Sequence, residues 1–142
     1  MNSKIDNNKV AILVKKAALE FDKISNSYFL KYELTASQFK ILKYLYSTET
    51  GKARVTDIEK YYSLTHPTTI GLIDYLEKKN FIERVDNPND KRGKLVSLTS
   101  KAREMEEELI LVGNSIEKEL TNSLTDKEKE ELINLLNKLL RK

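Results

Sequence analysis

Apolar residues recur every three or four positions along nearly the whole chain, and every two positions in one short stretch, 81–98. The first spacing lays a stripe along a helix, whereas the second lays one face of a strand. A chain patterned this way can build layers of helices and one hairpin, and little else. Only two prolines and four glycines interrupt it, so few positions oblige a helix to stop.

The stripes delimit the elements. Val10, Leu13, Val14, Ala17, Phe21, Ile24 and Tyr28 share one face of a long first helix. Thr35-Ala-Ser-Gln38 has the form of a capping box, in which two side chains satisfy the free amides of a new helix. Phe39, Leu42, Leu45 and Tyr46 give that helix its buried face, until the pattern breaks near Gly51. A short helix is predicted over 56–62, buried through Ile58 and Tyr61 or Tyr62. Ser63-Leu-Thr-His-Pro67 reads as a turn, with Pro67 in the first turn of a helix that runs to about Lys79. Leu72, Ile73 and Leu76 face inward from it. Two short helices across a tight turn form a helix-turn-helix.

Residues 81–85 and 95–98 then read as paired strands, joined by a loop over 86–94. Helical spacing returns with Ala102, Met105, Leu109, Val112, Ile116 and Leu120. Thr125-Asp-Lys-Glu128 is a second capping box, opening a last helix striped with Leu132, Leu135, Leu136, Leu139 and Leu140. The predicted fold class is mostly α, an α+β winged helix, in one domain of 142 residues. A winged helix-turn-helix lobe spans 34–103. The regions 1–33 and 104–142 carry stripes too long to be fully buried by that lobe and read as dimerisation helices, with packing onto the lobe of the same chain as the competing reading.

Charge divides the chain. Residues 52–103 hold 11 Lys and Arg against 7 acids, while 104–142 hold 6 against 10. A basic middle suits a nucleic-acid partner, although an ordinary solvated surface explains the charge equally well. There is no cysteine, hence no disulfide, thiol nucleophile or thiolate metal site. His66 is the single histidine, too few for a catalytic dyad or a multi-histidine metal centre. No phosphate-binding glycine loop or metal-ligand spacing occurs, so neither catalysis nor a cofactor is expected. Glu104, Glu106, Glu107 and Glu108 point in different directions on a helix and read as a solvated face. The apolar run Val10 to Val14 is too short for a secretory segment or a membrane span, and the expected address is the cytoplasm.

Helix starts in such motifs enter the major groove, so Thr65, His66, Thr68 and Thr69 are the candidate recognition residues. For Thr65 and His66, helix capping and DNA contact stand equally; Thr68 and Thr69 read as contacts, each offering a hydroxyl and a methyl. Gly71 is costly in a helix, and a close approach to DNA or to another helix would justify it. In the wing, Arg92 suits a narrow minor groove and Lys91 and Lys94 suit phosphates, with Asp90 orienting Arg92. Arg54 and Thr56 suit phosphate contact, and Thr56 suits a helix cap equally. Lys78 and Lys79 complement the dipole at the far end of the recognition helix.

The run Asp90-Lys-Arg92-Gly93 through Leu98-Thr99, preceded by Asn87-Pro88, resembles the wing signature D-x-R…LT of the MarR family of bacterial transcription regulators. Leu34-Thr35…Gln38-Phe39…Leu42, the run from Leu72 to Ile82, and the last helix are similar to that family in order. Gly71 and Tyr75 stand where members often carry arginine, and Asn80 where they often carry glycine. The resemblance implies a homodimer on double-stranded DNA, with Arg92 in a minor groove. It also implies a small-molecule effector, often an aromatic acid, between the dimer helices and the lobe; Tyr28, Tyr32, Phe39, Tyr44 and Tyr46 are the candidate lining. The expected function is a sequence-specific regulator, a repressor, on a pseudopalindromic operator. A winged-helix module that binds protein instead of DNA is the alternative.

Overall fold

Thr35 opens the second helix as its capping box requires. Its hydroxyl accepts from the Gln38 amide at 3.2 Å, and the Gln38 side chain accepts from the Thr35 amide at 2.8 Å. The computed structural model describes residues 8–141, except for the side chains of Lys91 and Arg92. Helix α1 spans Val10–Phe29 and leads through a single 3₁₀ turn, Leu30–Tyr32, to α2, Ala36–Ser47. Strand β1, Lys52–Arg54, runs directly into α3, Val55–Tyr62, and a turn leads to α4, His66–Lys78. Strands β2, Ile82–Asn87, and β3, Asp90–Leu98, form the hairpin. Helices α5, Ser100–Glu104, α6, Glu106–Leu120, and α7, Asp126–Leu140, complete the chain.

Three antiparallel strands lie in the order β1-β3-β2, with Ala53 opposite Val96 and Ile82 opposite Leu98. Alternation along β3 turns Val96 and Leu98 onto the helices. There they join Ile41, Leu42 and Leu45 of α2, Ile58 of α3, and Ile73 and Leu76 of α4, all essentially removed from water. Each such side chain contributes roughly 1.5–3 kcal/mol when fully buried. Asn80 carries the chain from α4 into β2 at φ 64°, a left-handed conformation that Asn tolerates.

Three boundaries differ from those read in the sequence. The hairpin extends through most of the supposed loop, 86–94: Asp86 pairs with Lys94, and only Pro88 and Asn89 form the turn. That ribbon projects beyond the core, so nothing selects apolar residues on either face and the two-residue period fades. Strand β1 was missed because three residues, one of them apolar, carry no period. The helix after Thr99 is two helices, broken at Met105, and the apolar stripe runs through the break. Helix α6 packs along α1, burying Leu109 and Ile116 against it.

Candidate nucleic-acid interface

The helix-turn-helix turns at Ser63, which is left-handed at φ 54°. Thr65 is the N-cap of α4: its side chain accepts from the Thr68 amide at 3.3 Å, and its hydroxyl lies 3.0 Å from that of Thr68. His66 is largely exposed, with Nδ1 2.6 Å from Glu59 on α3. That contact ties the start of α4 to the helix before it. Thr68 is exposed. Thr69 is not a surface residue. It is fully buried and its hydroxyl donates to the Thr65 carbonyl at 2.8 Å, so the expected DNA contact from Thr69 is withdrawn. One residue further along, a helix turns by about 100°, which carries Thr69 from the outer face to the inner one.

The rest of the outward face of α4 is held by Arg84, which the sequence reading passed over. Its guanidinium, on β2, reaches Asp74 at 2.7 Å and also pairs with Glu77. The two acids lie three residues apart on one helix face, the spacing that lets a single fork take both. This clamp fastens the wing to the recognition helix and neutralises the two carboxylates that would repel a phosphate backbone. An exposed Asp-x-x-Glu pair followed by arginine in the next strand was the available signal. Lys79 does not merely offset the helix dipole: its ammonium lies 3.2 Å from the Glu33 carboxylate and 5.9 Å from the Tyr75 ring.

On the wing, Lys94 pairs with Asp86 across the ribbon at 2.5 Å and holds that carboxyl below its ordinary range. The side chains of Lys91 and Arg92 lie outside the described residues, and with them the expected Asp90–Arg92 partnership. The Asp90 carboxylate lies close beside Gly93, and it also helps keep Arg54 protonated from a distance. The larger influence on Arg54 is Asp57, whose carboxylate accepts from Nε and Nη2 at 3.2 and 3.1 Å. Arg54, rather than Thr56, is the N-cap of α3. The expectation that Thr56 caps the helix therefore fails, and its side chain is left exposed in the first turn.

A cavity of about 380 Å³ opens between α1, α2, α3 and α6. Phe29 and Phe39, stacked at 4.5 Å, form one wall, and Lys40, Lys43 and Tyr62 line another. Ser25 also lines it; its Oγ is buried and, among the described residues, without a hydrogen-bond partner. Of the five aromatic residues expected around an effector, Phe39 alone lies here. Tyr28 donates to Glu119 at 3.0 Å and Tyr32 to Glu108, each carboxylate raising its phenol's pKa. Tyr46 donates to the Ala102 carbonyl at 2.7 Å, and Tyr44 packs edge-on against Tyr61 and Tyr62. Aromatic character alone could not separate those roles; the helix face each residue occupies does.

The MarR family pattern matches residues 34–94. The multiple antibiotic resistance protein MarR of Escherichia coli K12 is 37% identical over 122 residues, 84% of this chain and 82% of that protein. The chain belongs to the MarR family. Among solved structures, a mutant of E. coli MarR complexed with operator DNA is 32% identical, with a TM-score of 0.84 over 94% of this chain and 96% of that one. The Staphylococcus aureus MepR–DNA complex is 26% identical, with a TM-score of 0.84 over 93% and 96%. Within this MarR-family lobe, Tyr75 is half-buried and bonded to the segment before α2. Its hydroxyl donates to the Glu33 carbonyl at 2.5 Å, bracing α4 on the segment that joins α1 to α2.

Proposed function

We propose that this MarR-family protein is a sequence-specific DNA-binding repressor that acts as a homodimer on a pseudopalindromic operator in the cytoplasm. The observation that carries the reading is the outward face of α4, where Thr68 and Gly71 stand exposed while its acids are neutralised from the wing by Arg84. His66 and Thr68 lie on the groove side, Lys91, Arg92 and Lys94 serve the wing, and Arg54 and Thr56 meet phosphate. The lobe over 34–103 binds DNA, and the helical regions 1–33 and 104–142 pair two copies. Among the described residues, no helix is long and apolar enough to cross a membrane, and no metal-binding cluster occurs. Nor do the described residues of the lobe gather groups for catalysis.

The effector would enter the cavity between α1, α2, α3 and α6. Stacked phenylalanines suit an aromatic ring, Lys40 and Lys43 suit its carboxylate, and the unpartnered Ser25 hydroxyl offers a hydrogen bond. Occupancy would change the tilt of α2 and α3 against α1 and α6, and so the separation of the two recognition helices.

Footprinting on genomic DNA, with and without aromatic carboxylates, tests the reading. A protected inverted repeat that is released by such a ligand is expected. Arg92→Ala should weaken binding about tenfold or more while dimerisation and helicity stay unchanged. The absence of any protected site would overturn the proposal, and unchanged affinity in Arg92→Ala would overturn the wing assignment.

A further inference from the structure

Gly71 sits on the exposed face of α4 with ordinary helical backbone; Gly51 is the glycine with positive φ. A Cβ added at Gly71 would meet no heavy atom within 4 Å among the described residues. Neither backbone geometry nor a neighbouring element of the chain therefore asks for glycine there, and helix propensity argues against it. A close approach from outside the chain is a reason for the bare position that nothing inside the chain supplies.

The surroundings indicate what that is. From His66 to Glu77 the helix carries no lysine or arginine. Guanine is read in the major groove chiefly by such cations, and cytosine by a carboxylate. The carboxylates available, Asp74 and Glu77, are taken by Arg84, and Tyr75 is held at Glu33. His66 stands at the helix start with its Nδ1 tied to Glu59, and past it Pro67, Thr68 and Gly71 form the exposed surface: small and largely apolar. The C5-methyl of thymine is the base-edge group that such a surface accepts.

Resting on the DNA-binding reading above, we propose that the recognition helix selects A·T pairs, with thymine methyl groups packed against the bare surface at Gly71 beside Thr68. Glycine at this position lets the helix approach the base edges by the depth of one side chain, and it sets specificity by closeness rather than by a charged fork.

The test is selection of duplexes from a random pool by the full-length protein, followed by titration of the selected duplex. A·T pairs are expected where α4 meets the groove, with deoxyuridine in place of thymine there weakening binding several-fold. Gly71→Ala should raise Tm by a few degrees, since alanine favours the helix and restricts the unfolded chain. The same variant should bind the selected duplex about tenfold more weakly. A G·C consensus at those positions, indifference to deoxyuridine, or an Ala variant that binds as tightly as the parent would overturn the inference. Enrichment of no duplex at all would instead overturn the DNA-binding reading on which it rests.

Discussion

The lobe between α2 and β3 differs in burial from the two outermost helical stretches, α7 and the first half of α1. The second half of α1 and α6 bury Ile24, Phe29, Leu109 and Ile116 in the common core. In the lobe, Ile41, Leu42, Leu45, Ile58, Ile73 and Leu76 are wholly removed from water by other parts of the same chain. In α7 no residue is buried, and Leu132, Ile133, Leu135, Leu136, Leu139 and Leu140 remain 37–80% exposed. Val10, Leu13 and Val14 in the first half of α1 are exposed too. Both regions carry clean helical stripes, so the difference lies in what covers them. A stripe of this size left in water is unusual for a monomer and is the signature of an interface. Under the proposed dimer, it is these exposed stripes of α7 and of the first half of α1 that meet the second copy.

That contrast can be broken at either side, and the largest effect belongs to the lobe. Leu45→Ala removes a wholly buried side chain and should cost about 2–5 kcal/mol, read from the denaturant midpoint with the slope unchanged. A cost near zero would mean that Leu45 is not the core residue described. Leu136→Glu should leave helicity intact but weaken dimerisation by about 2 kcal/mol or more, roughly a 30-fold rise in Kd by sedimentation. An unchanged dimer would send α7 back to packing on its own chain.

The smallest effect comes from Tyr62, where the lobe meets the cavity. Burial above all, and then the neighbouring Tyr61 and Tyr44 phenols, push its pKa from 10.0 up to about 12. Because the folded state favours the protonated phenol, this contribution to stability is complete below pH 10 and is lost as pH rises from 10 to about 12. Tyr28, Tyr32 and Tyr46 also titrate late, so absorbance titration should show a late phenolate amplitude that Tyr62→Phe lowers by one residue. An unchanged amplitude would mean that Tyr62 is not among its sources.

The difference between the regions also explains what could be read from residues alone. Both capping boxes, the helix-turn-helix and the inward turn of Val96 and Leu98 were legible, because local chemistry or period specifies each of them. Legibility ended where the answer depends on another element. Thr68 and Thr69 are identical neighbours, and only the inward face of α4 makes one of them core. Tyr28, Tyr32, Tyr44 and Tyr46 could each have lined a cavity, and their partners Glu119, Glu108, Tyr61 and the Ala102 carbonyl lie far away along the chain. The Arg84 clamp likewise joins a helix to a strand, and no period marks it.

The most direct test is a salt titration of the parent protein and of Leu136→Glu on the duplex DNA that lies upstream of its own gene. Each phosphate neutralised contributes about −0.9 to the slope of log K against log salt. The account predicts specific binding with a steep negative slope for the parent, and a much shallower slope and weaker binding for the variant. Absence of binding by the parent at low salt, or an equal slope and affinity in both proteins, would contradict it.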